Sequence, residues 1–233
     1  MYEERIIPPK KAMPQAQDGT LRKFALRVPE VIYQCSGIMV FGKRIKSLVF
    51  STDLSIIKNV NADAIIAVYP FTPQPIITQA LLLAADIPVF AGVGGGLTKG
   101  QRVVNLAMFA EMQGATGVVV NAPTANTVVQ HVAETIDIPV VVTVARADTD
   151  FEARLQAGAN IFNVSAAAET PAIVRSIRER YPDVPIIATG GPTDESILET
   201  IQAGANAITW TPPTNGEIFR DIMAAYRDNK PHP

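Results

Sequence analysis

Cysteine and histidine are scarce in this chain, and their scarcity excludes several kinds of chemistry. The single cysteine, Cys35, cannot form a disulfide within the chain, which fits a reducing compartment, and it is expected to pack as a small apolar residue. The two histidines, His131 and His232, fall in a helical pattern and in the C-terminal tail. No group of His, Cys and carboxylate residues has the spacing of a metal site, so a metal-independent activity is expected.

Long apolar runs and a strong charge of either sign are also missing. No stretch reaches the roughly 18 apolar residues that span a bilayer, and no basic-then-apolar leader is present, so the sequence predicts a cytoplasmic protein without membrane contact. The formal net charge of −2 predicts no nucleic-acid partner. Residues 1–46 nevertheless carry nine Lys or Arg against four Asp or Glu. This basic arm is interpreted as a solvated segment or a subunit contact in a homo-oligomer, with polyanion binding as the alternative.

The composition is that of one cored domain. The chain has 233 residues, of which 48% are hydrophobic and 18% are charged. We predict an N-terminal arm over residues 1–44, with a short helix at 21–28, packed on a larger part over residues 45–233.

Two short phrases alternate along the larger part. One is Gly-Ala or a near equivalent before an apolar strand, as in 158–160 and 204–206, and the other is Asp-Ile-Pro or Asp-Val-Pro before a strand, as in 137–139 and 183–185. Gly ends a helix without Cβ strain, and Pro starts a strand where no ladder donor is needed. A repeat of this length indicates a run of β/α units.

Eight apolar strands follow from this punctuation, over residues 45–51, 64–69, 88–93, 117–121, 139–144, 161–165, 185–189 and 207–211. Helical patterns between them lie at 54–59, 101–112, 127–135, 150–156, 170–180 and 194–202. Strands that alternate with helices in this way predict an α/β fold, the (β/α)8 TIM barrel with an extra N-terminal helical segment. An open doubly wound sheet is the alternative.

The register of the strands separates an apolar phase from a polar phase. Residues 118, 120, 162, 164, 208 and 210 are apolar and are expected to pack outward beneath the helices. The opposite phase is expected to place polar residues at the carboxyl end of the barrel, where barrel active sites are built: Ser51, Asp53, Asn121, Thr143, Asn163, Ser165, Thr189 and Thr211. We interpret them as a polar ligand pocket. The alternative is that they finish strands and cap helices.

Two loops at the same end are rich in glycine. The first contains Gly94 and Gly95, and the second contains Gly190 and Gly191; each leads into a helix. Bare N–H groups at a helix start suit a phosphate or carboxylate, although glycine runs also make tight turns.

Residues 185–193 and 201–208 resemble the last quarter of the phosphate-binding barrels, a group that includes ribulose-phosphate-binding enzymes, epimerases, small aldolases and FMN-dependent oxidoreductases. The resemblance implies that Gly190 and Gly191 hold a phosphate. It breaks at Trp210-Thr-Pro-Pro-Thr-Asn-Gly216, because two prolines remove two backbone donors where the family completes its phosphate cradle. Thr211, Thr214 and the N–H of Asn215 are possible substitutes; otherwise the ligand carries a carboxylate or no anionic group. Trp210 is expected to pack against helices.

These observations lead to an enzyme that acts on a small anionic metabolite, a sugar phosphate or keto acid, by proton transfer in an isomerase, epimerase or lyase reaction. Asp53 is the expected general acid or base because it is the carboxylate at a strand end. Lys99 and Arg146 are expected to neutralise anionic groups, and Asp148 and Glu169 are reserve acids. No cofactor is predicted, with FMN as a remote alternative.

Other interpretations stay open. The alternative role of Asp53 is the N-cap of helix 54–59, and the alternative for Arg146 is a loop salt bridge with Asp148. A ligand-sensing barrel without turnover is the second functional hypothesis, since titratable groups are few. Hydrolysis with Asp53 activating water is a third, which no sequence motif supports.

Overall fold

The computed structural model describes Gly19 and residues 26–232. Its centre is a closed barrel of eight parallel strands, in which the last strand pairs with the first. In chain order after an antiparallel hairpin (β1 and β2, below), they are β3 (Ser47–Phe50), β4 (Ala64–Ala67), β5 (Val89–Gly94), β6 (Gly117–Val120), β7 (Val140–Val144), β8 (Ile161–Val164), β9 (Ile186–Thr189) and β10 (Ala207–Trp210). The predicted (β/α)8 barrel is confirmed.

Helices follow the strands on the outside of the barrel. They are α1 (Leu54–Lys58), α2 (Pro75–Ala84), α3 (Gln101–Met112), α4 (Asn126–Thr135), α5 (Phe151–Gln156), α6 (Thr170–Arg180), α7 (Asp194–Gln202) and α8 (Asn215–Arg227). Helices α2 and α8 were not among the predicted ones. No helix among the described residues is long and apolar enough to cross a membrane.

The N-terminal region differs from its prediction. Residues 21–25 of the predicted helix lie outside the described residues, and the described residues 26–28 are not helical, because Leu26 forms a parallel bridge with Val60. A short 3₁₀ helix (Glu30–Gln34) then leads to a hairpin of β1 (Ile38–Val40) and β2 (Lys43–Ile45). The predicted first strand at 45–51 is therefore divided between β2 and β3. The hairpin turns at 41–42, where both residues have positive φ, as two-residue hairpin turns require.

The hairpin closes the amino end of the barrel. Its apolar side chains join the inward side chains of the barrel strands in one buried cluster: Ile38, Val40, Ile45, Leu48, Ala64, Ile66, Phe90, Val119, Val141, Ile161, Ile187 and Ala207. The opposite phase of the same strands, including Val118, Phe162 and Ile208, packs with the helices in a second cluster, to which Trp210 adds as predicted. The predicted outward apolar phase is confirmed, and the lower part of the interior is apolar as well.

The repeated Gly-Ala-Asn phrase has a specific structural role at this amino end. Asn160 donates its N–H to the Val140 carbonyl (2.9 Å), and its Oδ1 accepts the Val140 N–H (2.8 Å). Asn206 makes the same pair of bonds with Ile186, at 2.9 Å each. The Asp63 carboxylate likewise accepts N–H groups at the start of β3. The repeat thus fixes the register of one strand against the preceding one.

Cys35 lies in the core next to the 3₁₀ helix, as predicted for a packed thiol. Burial raises its pKa to about 12, so the thiol is protonated and unreactive at neutral pH.

Candidate active site at the carboxyl end of the barrel

A cleft of about 520 Å³ opens at the carboxyl end of the barrel, between the loops that follow β3, β4, β6 and β10. We call it the mouth cleft. Predicted residues that line it are Ser51, Asp53, Asn121 and Thr211. Sequence reasoning did not single out Tyr69, which also lines it and whose hydroxyl oxygen accepts the Gln74 N–H (2.9 Å), leaving its own proton free to donate. An aromatic residue just after a barrel strand was the available signal.

Asp53 is held by hydrogen bonds from two elements. Its Oδ1 accepts the N–H groups of Ser55 (2.8 Å) and Ile56 (3.2 Å) and the Ser55 hydroxyl (2.7 Å), which makes it the N-cap of α1. Its Oδ2 accepts the Asn215 side-chain amide (2.6 Å) from the start of α8. The Ser55 hydroxyl bond is the largest cause that lowers the pKa of Asp53, desolvation opposes it, and the other bonds add to the lowering.

Asp53 therefore caps helix α1, which was the alternative to a catalytic role in the sequence analysis. A carboxylate with a lowered pKa is ionised at neutral pH and is a weak proton acceptor. Ser51 belongs to the same turn, because its Oγ accepts the Asp53 N–H (3.1 Å).

A smaller cavity of about 80 Å³ adjoins the mouth cleft between the loops after β4 and β5. Gly94 and Asn121 line it, and the Asn121 N–H donates to the Gly94 carbonyl (2.9 Å). Gly95 has φ +104°, and a Cβ there would meet the Thr124 hydroxyl and the Asn121 backbone. These glycines let the loop pack on the end of β6. Lys99, in the same loop, is exposed and lines neither cavity.

A second set of predicted polar residues lies on β7, β8 and β9 and just beyond, away from the mouth cleft. Asn163 donates its side-chain amide to the Thr143 hydroxyl (3.4 Å), and Thr189 donates to the Ser165 hydroxyl (3.3 Å). Thr209 on β10 belongs to the same inward phase. Among the described residues, Asn163 Oδ1 and Thr209 Oγ1 are buried without a hydrogen-bond partner.

The second glycine loop is shaped by the helix that follows it. A Cβ on Gly190 would lie 2.7 Å from Ile197 Cγ1 and 2.9 Å from Ile208 Cγ2, and Gly191 has φ +83°. Thr193 caps α7 with Ser196, and the first turn of α7 carries two carboxylates at 194–195. Because those carboxylates repel an anion at this helix start, the surroundings weigh against the predicted phosphate at Gly190 and Gly191.

The start of α8 is also occupied by side chains. Thr214 accepts the Glu217 N–H (3.2 Å), and the Glu217 carboxylate accepts the Thr214 N–H (2.8 Å) and hydroxyl (2.8 Å). Asn215 donates its amide to Asp53 and to Ser55. Of the residues expected to replace a phosphate cradle, Thr214 is thus engaged within the protein, and so is the side chain of Asn215.

Arg146 and Asp148 form a two-point ion pair, with Nε···Oδ1 at 2.9 Å and Nη2···Oδ2 at 2.6 Å. Both side chains are largely exposed, at 78% and 67%. The hydrogen bonds between them raise the pKa of Arg146 and lower that of Asp148. This is the loop salt bridge that competed with the catalytic interpretation. Glu169 lies nearby and is exposed.

Comparison with known proteins finds similar folds but no similar sequence. No protein-family model and no curated protein sequence matches this chain. Among solved structures, a phosphoenolpyruvate phosphomutase from Streptomyces platensis subsp. rosaceus is similar at 15% identity and a TM-score of 0.59, covering 79% of this chain and 83% of its own. A phosphonopyruvate hydrolase solved with oxalate and Mg²⁺ is similar at 14% identity and a TM-score of 0.59, and the match covers 80% of this chain and 84% of the hydrolase. An oxaloacetate acetylhydrolase solved with its product oxalate is similar at 10% identity and a TM-score of 0.60, and the match covers 85% of this chain and 84% of the acetylhydrolase. Such low identities establish the shared barrel alone.

The described residues of this chain do not form a magnesium site, although one of these structures was solved with Mg²⁺. Within the part of the chain that the structure describes, no group of three or more His, Cys, Asp or Glu side chains is placed to hold a metal ion. Among the residues that the structure describes, Asp53 is the one carboxylate that lines the mouth cleft, and both of its oxygens already accept hydrogen bonds. Magnesium is usually held through carboxylates, so the donor set is too small.

Proposed function

We propose that this barrel is an enzyme that acts on a small oxygen-rich metabolite, of the sugar-phosphate or keto-acid kind, by proton transfer in an isomerase or lyase reaction. The observation that carries the proposal is the convergence of polar side chains from the loops after β3, β4, β6 and β10 in one cleft at the carboxyl end. The neighbours named for phosphoenolpyruvate, phosphonopyruvate and oxaloacetate support a small oxo-acid as substrate. We further propose, from the sequence resemblance, that the barrel is related to the ribulose-phosphate-binding enzymes.

Asp53 and Tyr69 are the proton-transfer candidates in this cleft. Asp53 is ionised and has a lowered pKa, so it accepts a proton only from a strongly acidic group of the substrate or when a bond from Ser55 or Asn215 is released. Tyr69 can donate its phenolic proton, because its oxygen already accepts the Gln74 N–H. Ser51 and Asn121 would orient substrate oxygens.

The test is turnover and binding measured on the same variants. A panel of oxo-acids and sugar phosphates is screened by thermal shift, and each hit is incubated and analysed for product. Asp53→Asn keeps a cap acceptor and is expected to lower turnover by about 10²-fold or more with little change in binding. Asp150→Asn is the matched control, because Asp150 also caps a helix at this end, through the Ala153 N–H (3.0 Å), but does not line the cleft. Equal turnover in both variants contradicts a role for Asp53.

A ligand-sensing barrel without turnover is the second candidate. The observation that favours it is that Asp53, Asp148, Arg146 and Glu217 are all engaged with other protein groups. In that case the panel yields a ligand that raises the melting temperature, and no product forms with any variant. Hydrolysis has no further observation in its favour.

A further inference from the structure

Three levels of inward side chains follow one another on β8 and β10 toward the carboxyl end. The deepest level is apolar, with Ile161 and Ala207 in the interior cluster. The next level holds Asn163 and Thr209, which are 8% and 7% exposed. Two residues further along, Ser165 and Thr211 are exposed. Asn163 and Thr209, which we call the polar floor, therefore lie directly between the dry core and the open end of the barrel.

The polar floor is built at an energetic cost. Asn163 Oδ1 and Thr209 Oγ1 are buried and have no partner among the described residues, although other buried hydroxyls, such as that of Thr200, are bonded. A buried polar atom without a partner lowers the stability of a fold. Valine or leucine would fill the same positions without that cost, so packing alone does not explain the polar residues.

The chemistry of the polar floor selects what can contact it. Its atoms and those of the neighbouring Thr143, Ser165 and Thr189 are neutral amides and hydroxyls. Asn163 Oδ1 is an acceptor, so a phosphate or carboxylate oxygen, although it can accept from the Thr209 hydroxyl, would face Oδ1 acceptor to acceptor. An ammonium group would be buried there without a counter-charge. A hydroxyl fits, because it can donate to Asn163 and accept from or donate to Thr209.

From this arrangement we infer that the end of the ligand that enters the barrel is an uncharged, hydroxyl-bearing carbon chain, which is hydrogen-bonded by Asn163 and Thr209. Any anionic group of the ligand then stays at the outer loops. This inference rests on the proposed function for a site at the carboxyl end of the barrel. Asn163 and Thr209 do not line the mouth cleft itself, but Thr209 lies two residues before Thr211, which does. The inference adds the substrate class, a polyol or sugar rather than a bare oxo-acid.

The first experiment needs no ligand. Thr209→Val and Thr200→Val are the same substitution at two buried threonines, but the Thr200 hydroxyl donates to the Ser196 carbonyl (3.0 Å). We expect Thr200→Val to lower the melting temperature and Thr209→Val to leave it unchanged or raise it. Asn163→Leu is a second variant at the polar floor. If Thr209→Val lowers the melting temperature as much as Thr200→Val, the Thr209 hydroxyl has a partner and the inference is wrong.

The second experiment uses defined probes on the full chain: glycerol, D-erythrose and D-ribose as uncharged compounds, and oxaloacetate and inorganic phosphate as anions. At least one uncharged probe is expected to raise the melting temperature of the wild type, with a Kd that Thr209→Val raises by about three- to tenfold. A shift by the anions alone, or an equal shift in the variant, overturns the inference and leaves the proposed function standing. The absence of any shift by either class counts against both.

Discussion

The two ends of the barrel use similar polar residues for different purposes. At the amino end, Asn160 and Asn206 each make two bonds to one backbone residue of the preceding strand, and the pattern recurs with the sequence repeat. At the carboxyl end, the partners of each polar side chain differ from unit to unit, and Asn163 Oδ1 has none among the described residues. The difference shows that the regular positions of the repeat assemble the barrel, while positions that break its regularity form the site.

The largest effect is expected at the amino end. In Asn206→Leu, the Ile186 N–H loses its acceptor, and so does Arg178, whose Nη2 donates to Asn206 Oδ1 (2.7 Å). We expect a loss of about 3 kcal/mol in the free energy of unfolding, measured by denaturant titration. Asn160→Leu, which lacks the arginine contact, should cost about half as much. Costs that are equal for the two variants, or below about 0.5 kcal/mol, contradict the assembly role.

The second effect tests whether the loop after β9 is shaped by packing or by a ligand. Gly190→Ala forces a methyl group against Ile197 and Ile208, and is expected to cost about 2 kcal/mol. Gly96→Ala is the control, since a Cβ there meets nothing within 4 Å. Thermal and denaturant unfolding measure both variants. If Gly190→Ala keeps full stability and loses only ligand binding, the glycine serves an anion site after all.

A smaller effect concerns the helix cap at the open end. Asp53→Ala is expected to destabilise by about 1 kcal/mol at pH 7 through loss of the α1 cap. The folded-state pKa of Asp53 is lowered from 3.8, so its contribution is complete above that value and is lost as the pH falls through the folded-state pKa. Unfolding measured between pH 7 and pH 2 should therefore show the wild type and the variant converging at the acid end. A difference that grows in acid would contradict the direction of the shift.

The smallest effect is expected for the exposed ion pair. Arg146→Ala should leave the melting temperature unchanged, because the pair with Asp148 lies in solvent. A turnover assay of the Arg146→Ala variant on the substrate found by the screen tests whether Arg146 also binds the substrate. An unchanged KM assigns the pair to the loop, whereas a raised KM with unchanged kcat would return Arg146 to substrate binding.

Much of the fold could be predicted because glycine and proline mark where each helix ends and each strand begins. Helices 101–112, 170–180 and 194–202 have the predicted bounds. The hairpin was missed because its second strand ends at Ile45, one residue before an apolar strand, and both were interpreted as one. The turn at Phe41-Gly42, which joins β1 to β2, was the signal for a hairpin before β3.

The site was harder to predict, because register determines which way a side chain faces but not how loops cover it. Asn121 and Thr211 were predicted by phase and line the mouth cleft. Asp53 is bonded both by its neighbour Ser55 and by Asn215, which lies 162 residues away in sequence. No local pattern contains such a contact, so the sequence left the capping and catalytic interpretations of Asp53 open.

The pairing of β10 with β3 has a consequence for how the chain is made. Ile208 aligns with Ser47, so the barrel closes through a contact between residues 161 positions apart. Synthesis from the N-terminus must therefore produce almost the whole chain before β3 gains its second neighbour. A chain that ends before residue 207 would keep two unpaired strand edges, on β3 and β9, and such edges pair readily with other chains. The last strand therefore removes both edges at once, and nascent copies are open to pairing with one another until it is made.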